Sequence, residues 1–163
     1  MVHYEIRNAQ REDLEKCLET LHKAFKNSEQ QFGYTKETYP SSGAYITLDE
    51  LVAAKEKGVH MYAVFVKDTV AGYVQLEKVR DGVYAFRRFA VLPEYQNLGL
   101  GRALIAHCRK KAISYGGRKL TLLMIHENTP LLAFYESNGF RLIRTGRDSA
   151  YPFEYAILEL ELT

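Results

Sequence analysis

Residues 89–102, Phe89-Ala-Val-Leu-Pro-Glu-Tyr-Gln-Asn-Leu-Gly-Leu-Gly-Arg102, decide how the rest of the chain is read. An apolar strand runs into Pro93, a short loop carries Gly99 and Gly101, and a helix starts at Leu100 or Arg102. The first N–H groups of a helix have no internal acceptors, and the helix dipole is positive there. Glycines at alternate positions let this backbone approach a ligand closely, and Arg102 adds a cation. Such an arrangement suits a phosphate or pyrophosphate. A dinucleotide fingerprint would need a third glycine where Leu104 stands, and a P-loop would need a closing Gly-Lys-Ser/Thr, so neither applies. Taken alone, the stretch is equally consistent with a turn that only caps a helix.

Downstream, the helix over residues 100–115 turns Ala103, Leu104, Cys108 and Ala112 inward and stops at Gly116-Gly117. Residues 120–125 are apolar on both faces, which predicts a central strand covered on both sides. Strand, helix and strand form a crossover, so residues 83–92 and 120–125 are expected to be parallel neighbours. Asn128-Thr-Pro130 opens another helix, with Thr129 as cap and Pro130 at its first position. It carries Leu131, Leu132, Phe134 and Tyr135 and ends at Asn138-Gly139. Strands over 141–145 and 153–162 close the chain.

Upstream, residues 60–66 and 70–78 form an antiparallel hairpin, and Gly72 signals a bulge or a close backbone approach. Arg87 and Arg88 are adjacent, so strict alternation sends them to opposite faces. One is expected to pair with a carboxylate such as Glu77, the other to face a cleft. A strand over residues 3–7 precedes a helix capped by Asn8, with Leu14, Cys17, Leu18, Leu21 and Phe25 on its inner side. Residues 27–45 show no period and hold Phe32, Tyr34, Tyr39 and Tyr45. A loop of that length either serves function or is pinned to the core by its aromatics. Thr47-Leu-Asp-Glu50 is a capping box for a second, short helix. The order is β-α-α-β-β-β-α-β-α-β-β: one α/β domain, residues 1–163, around a mixed sheet.

With 163 residues the chain can build one sizeable core. Its net charge of +2, with no basic stripe, argues against nucleic acid as a partner. Cys17 and Cys108 both fall on apolar helix faces, as buried free thiols do. The histidines lack metal-ligand spacing, so no metal is expected. No apolar run suits a signal segment or a membrane span, and a cytoplasmic protein with no membrane partner is expected.

These residues together resemble the GNAT family, the Gcn5-related N-acetyltransferases, over essentially the full length. Gln96-Asn-Leu-Gly-Leu-Gly101 fits the family's Gln/Arg-x-x-Gly-x-Gly/Ala loop. The Val91-Leu-Pro93 before it and the Phe134-Tyr-Glu-Ser-Asn-Gly-Phe140 after it fit as well. The resemblance implies the acyl-CoA N-acyltransferase fold and acetyl-CoA as co-substrate. Backbone groups of Phe89, Ala90 and Val91 would pair with the pantetheine arm, and the Phe89 N–H would polarise the thioester carbonyl. Amides of Asn97, Leu98, Gly99, Leu100, Gly101 and Arg102 would hold the pyrophosphate, and the Asn128 side chain would contact the cofactor. Tyr135, seven residues after that asparagine, matches the usual general acid. A phenol of pKa about 10 is protonated at neutral pH and can donate to the departing thiolate.

The base departs from the family's pattern. Ala85, Phe86, Arg87 and Arg88 fill the strand where many members carry a glutamate. Leu123 stands where ribosomal-protein acetyltransferases carry another. Water, Glu77, His126 or Glu127 would have to serve. The resemblance thus implies acetyl transfer to a primary amine, of a small molecule because no accessory domain is present, by direct attack in a ternary complex. A cleft-facing Arg87 or Arg88 would favour an acceptor that also carries an anion. A protein or peptide acetyltransferase and a silent acetyl-CoA sensor are the alternatives; homodimers are common in the family.

Overall fold

The computed structural model describes residues 2–163. Its elements are β1 (Glu5–Asn8), α1 (Leu14–Phe32), α2 (Leu48–Glu56), β2 (His60–Val66), β3 (Thr69–Arg80) and β4 (Val83–Val91). These are followed by α3 (Leu100–Ser114), β5 (Lys119–Ile125), α4 (Thr129–Ser137), β6 (Arg141–Gly146) and β7 (Tyr155–Glu161). Types and order are those the periodicity predicts. The strands form a seven-stranded mixed sheet of order β1-β2-β3-β4-β5-β7-β6. Every neighbouring pair is antiparallel except β4 and β5, which the α3 crossover makes parallel.

Helices cover the two faces unequally. Leu100, Leu104, Ile105 and Cys108 of α3 and Tyr135 of α4 pack on one face with Val64, Leu76, Phe86, Leu120, Leu122 and Leu158. On the other, Leu14, Cys17 and Leu21 of α1 and Leu51 of α2 pack on Met61, Ala63, Phe65, Tyr73 and Ala90. This second layer reaches no further than β4, so β5 is covered on one face only. Leu120, Leu122 and Met124 are buried there, while Leu123 on the opposite face is 37% exposed. The expectation of a strand sealed on both sides is corrected at that residue.

Other differences lie at element ends. Asn8 belongs to β1 and caps nothing. A reciprocal Gln10–Asp13 pair opens a 3-10 turn instead, and α1 begins behind it at Leu14. The helix then runs through Asn27 to Phe32, which the sequence left irregular. All of those residues but Phe32 are polar and they carry no apolar period, but no breaker occurs until Gly33, which closes the helix at φ 71°. The capping box of α2 is present, with the Glu50 N–H donating to Thr47 Oγ1 at 3.2 Å. At Gly72 both expectations hold: the pairing with β2 skips the adjacent Ala71, and an added Cβ would lie 2.8 Å from Val64 Cγ1 and 3.0 Å from the Ala90 carbonyl oxygen. No described helix is long and apolar enough to cross a membrane.

Candidate active site

The parallel strands at the middle of the sheet begin together and then part. β4 and β5 pair only at Val83–Lys119, Tyr84–Leu120 and Ala85–Thr121. Beyond these, β4 continues to Val91 and β5 to Ile125 with no strand between them. The edge of β4 from Phe86 onward therefore offers backbone donors and acceptors toward the gap. A cleft of about 500 Å³ fills it, lined on its sides by Phe86, Arg87, Arg88 and Phe89 of β4 and Leu122, Leu123, Met124 and Ile125 of β5.

At one end of the gap lies the loop before α3. Pro93–Tyr95 make a single 3-10 turn, and the Gln96 side chain donates back to the Val91 carbonyl at 3.1 Å. Asn97 at φ 63° and Gly99 at φ 85° then bend the chain into the helix. The first helical bond is Ala103 N–H to the Gly99 carbonyl at 3.0 Å. The N–H groups of Asn97, Leu98, Gly99, Leu100, Gly101 and Arg102 thus have no acceptor among the described residues. Gly99 is required by its backbone angle, since nothing lies within 4 Å of an added Cβ. Gly101 is favoured by space: a Cβ there would sit 3.0 Å from Phe89 Cζ and 3.1 Å from Phe134 Cζ, so one of these rings would have to give. Those two rings are stacked, centroids 6.0 Å apart and planes 9° apart.

Tyr135 is buried and lines the cleft from α4. Phe86, Phe89, Phe134 and Phe140 surround its ring at centroid distances of 5.4–6.1 Å. Its hydroxyl has no hydrogen-bond partner among the described residues, and burial pushes the phenol above its usual range. Asn128, and not Thr129, caps α4: its Oδ1 accepts from the Leu131 N–H at 3.3 Å. Its Nδ2 makes no bond within the described chain, and the residue lines the same cleft. The structure therefore brings Phe89, Asn128 and Tyr135 to one cleft, with the glycine loop against Phe89.

The arginines separate as expected, but by a different device. Tyr73 pairs with Ala90 and Gln75 with Arg87, so β4 carries an extra residue, and Arg88 sits in the bulge at φ 51°. Arg87 Nη1 lies 2.6 Å from Glu77 Oε1. Arg88 has no ion-pair partner among the described residues, and its buried Nε has no acceptor. The bases considered from sequence do not line the cleft. Glu77 is held by Arg87, while His126 Nδ1 bonds Glu154 Oε1 at 2.8 Å beside a separate recess that also holds Glu127.

A model of the acetyltransferase (GNAT) family matches residues 14–140. The chain belongs to the GNAT family of acetyltransferases. Its members transfer an acyl group from acetyl-CoA. No curated protein matches. Among solved structures, the PaiA N-acetyltransferase of Thermoplasma acidophilum, in complex with coenzyme A, superposes with a TM-score of 0.78 at 23% identity, covering 98% of this chain and 99% of that one. The ribosomal-protein-S18-alanine N-acetyltransferase of Escherichia coli does so at 0.77 and 19% identity, covering 99% and 95%. Ard1 of Thermoplasma volcanium does so at 0.77 and 16%, covering 99% of each. At these identities the likeness is one of fold.

In this GNAT protein, sequence reasoning singled out the aromatic segment that holds Tyr39 but missed what it meets across the cleft. Tyr39, from the segment between α1 and α2, meets Tyr151 at 5.7 Å and Phe153 at 5.1 Å, both from the segment between β6 and β7. It also meets Tyr34 at 5.1 Å. These contacts bridge the cleft from one side of the sheet gap to the other. Tyr151-Pro-Phe153 was the available signal, but aromatics beside a strand read as ordinary sheet residues.

Proposed function

We propose that this GNAT protein transfers the acetyl group of acetyl-CoA to a primary amine of a small molecule, by direct attack in a ternary complex, with residues 1–163 acting as one catalytic domain. The observation that carries the reading is the run of unpaired N–H groups from Asn97 to Arg102 beside the unpaired edge of β4, with Tyr135 in the same cleft.

In this reading the amides of Asn97, Leu98, Gly99, Leu100, Gly101 and Arg102 hold the pyrophosphate, where dipole and orphan donors both favour an anion. Phe89, Ala90 and Val91 receive the pantetheine arm along the strand edge, and Asn128 contributes its free amide. Acetyl-CoA supplies an activated thioester. The Phe89 N–H steadies the negative charge that develops on the carbonyl oxygen when the amine attacks. As the new C–N bond forms and the C–S bond breaks, Tyr135 gives its phenolic proton to the departing sulfur. The proton lost by the amine leaves to water, because no carboxylate or histidine lines the cleft.

The test is release of coenzyme A thiol from acetyl-CoA with a panel of small amines and peptides, with products identified by mass. Amine-dependent release and an N-acetylated small molecule are expected. Tight acetyl-CoA binding with no amine of either kind raising release would refute the reading in favour of a sensor.

A further inference from the structure

Arg88 holds an unusual position. The bulge fixes it at φ 51°, a conformation that L residues seldom adopt, and aims a guanidinium into the cleft without a counter-ion. Its neighbour Arg87 is already compensated by Glu77. No aspartate, glutamate or histidine lines the cleft, so no acidic side chain there competes with a bound anion for Arg88. Its charge reaches Tyr39 and Tyr73, where it opposes the upward push that burial gives both phenols; Tyr39 still stands at about 12. Tyr39 therefore remains a neutral hydrogen-bond donor and aromatic wall at physiological pH.

The uncharged lining is largely apolar or aromatic, with Phe25, Tyr34, Tyr39, Tyr151, Phe153 and Ile157, and its polar members Ser28, Ser41, Thr121 and Asn128 carry no charge. Contacts of Tyr39 with Tyr151 and Phe153 span this end of the cleft across the two loop segments. A polypeptide acceptor would need an open trough there. Nothing in the lining offers an ammonium group a negative partner, so a bare amine has little to orient it.

We infer, resting on the acetyltransferase reading above, that the acceptor is a compact amino-acid-like molecule, whose carboxylate-class anion pairs with Arg88 and whose apolar or aryl body packs against the Tyr39–Tyr151–Phe153 wall. A planar guanidinium fork matches a carboxylate bidentately, which fixes the acceptor's orientation as well as its charge. Arg88 immediately precedes Phe89, so anion recognition and carbonyl polarisation are set by adjacent residues of one bulge.

The experiment compares phenylalanine, phenylalaninamide, phenethylamine and an alanine-starting peptide as acceptors, with wild type, Arg88→Ala, Arg88→Lys and Arg87→Ala. Wild type is expected to prefer phenylalanine over phenethylamine in kcat/KM by at least ~30-fold, the order of a charge-assisted bidentate contact. Arg88→Ala should collapse that ratio to near one, Arg88→Lys should retain part of it, and Arg87→Ala should leave it in place. As a readout without turnover, 3-phenylpropionate should compete with the acceptor in wild type and at least tenfold more weakly in Arg88→Ala. Equal use of phenylalanine and phenethylamine by wild type, or a ratio indifferent to Arg88→Ala, overturns the anion assignment while acetyl transfer stands. Turnover of the peptide alone overturns the substrate class. Failure of every amine overturns this inference together with the reading beneath it.

Discussion

The glycine pair of the loop supports a prediction in which two similar substitutions fail for different reasons. In Gly99→Ala the new methyl meets nothing within 4 Å, so the cost is conformational alone. Holding alanine at φ 85° costs about 1–2 kcal/mol, and the stiffer unfolded chain returns about 0.4–1 kcal/mol. The net loss, about 0.5–1 kcal/mol, lowers Tm by roughly 1–4 °C in a chain of this size. Gly101→Ala begins from a helical backbone, where alanine is favoured by about 1 kcal/mol. Its Cβ, however, lands 3.0 and 3.1 Å from two stacked rings, against carbon contacts of about 3.5–4.0 Å. Overpacking of this kind costs about 1–3 kcal/mol, and relief must move either Phe89 or the start of α3. Binding of coenzyme A by calorimetry, beside turnover of acetyl-CoA and of acetylpantetheine (which lacks the pyrophosphate), separates the outcomes. Gly99→Ala should weaken coenzyme A tenfold or more and leave acetylpantetheine turnover nearly intact. Gly101→Ala should harm both donors, and adding Phe134→Leu should recover part of the loss. If Gly99→Ala binds coenzyme A like wild type, or harms both donors equally, the assignment of this loop to the pyrophosphate is refuted.

Tyr135→Phe should lower kcat by about a hundredfold or more, the usual scale for a lost general acid. It should leave Tm and coenzyme A affinity nearly unchanged, because the hydroxyl has no partner in the described chain to lose; a kcat within threefold of wild type rules that role out. The pH profile of kcat/KM should climb with the free-amine fraction of the acceptor and level at the acceptor's own pKa, since no carboxylate or histidine lines the cleft. Replacing the acceptor with a less basic amine should move the profile with it; a fixed inflection near neutrality would reveal an enzyme base. Burial holds the Tyr135 phenol above its ordinary value of about 10, so no alkaline decline should set in below that pH. Burial also pushes the Cys17 thiol up to about 12, and that of Cys108 upward as well. Neither should react with a thiol reagent at pH 8 in the native protein, and both should react once guanidinium unfolds it.

What could be read from sequence follows what physical signal each element carries. Helical and alternating apolar periods, the Thr47–Glu50 box and the glycines at 99 and 101 are local, and they gave element order and the loop that opens α3. The end of α1 was not legible, because residues 27–32 bury too little to show a period and yet contain nothing that stops a helix. Leu123 was misread for a related reason: an apolar side chain reports that a position tolerates burial, not that a layer exists above it. Alternation placed one of Arg87 and Arg88 at a cleft without saying which, and it is the bulge that delivers Arg88 there. The aromatic bridge depends on two loops more than a hundred residues apart, and no local pattern reports such a meeting. Likewise, an empty position where a base might stand becomes informative only when Glu77 and His126 are seen engaged elsewhere.

Under the proposed function, the parting of β4 from β5 after Ala85 and Thr121 also ties donor supply to folding. The sheet is held across its middle by a short seam, and the β4 edge beyond it is, in folding terms, half of a ladder. A donor lying along that edge acts as a strand that the gene does not encode. By mass action, a ligand at a hundred times its Kd adds about 2.7 kcal/mol to stability, or roughly 5–10 °C at this chain length. Amide exchange along Phe86 to Val91 would then report occupancy directly: fast when the seam stands open, slow when it is closed. Without donor, the same edge is a bare template for another chain, so under the proposed function the concentration of acetyl-CoA would set both how much of the protein is charged for reaction and how much of it stays safely folded.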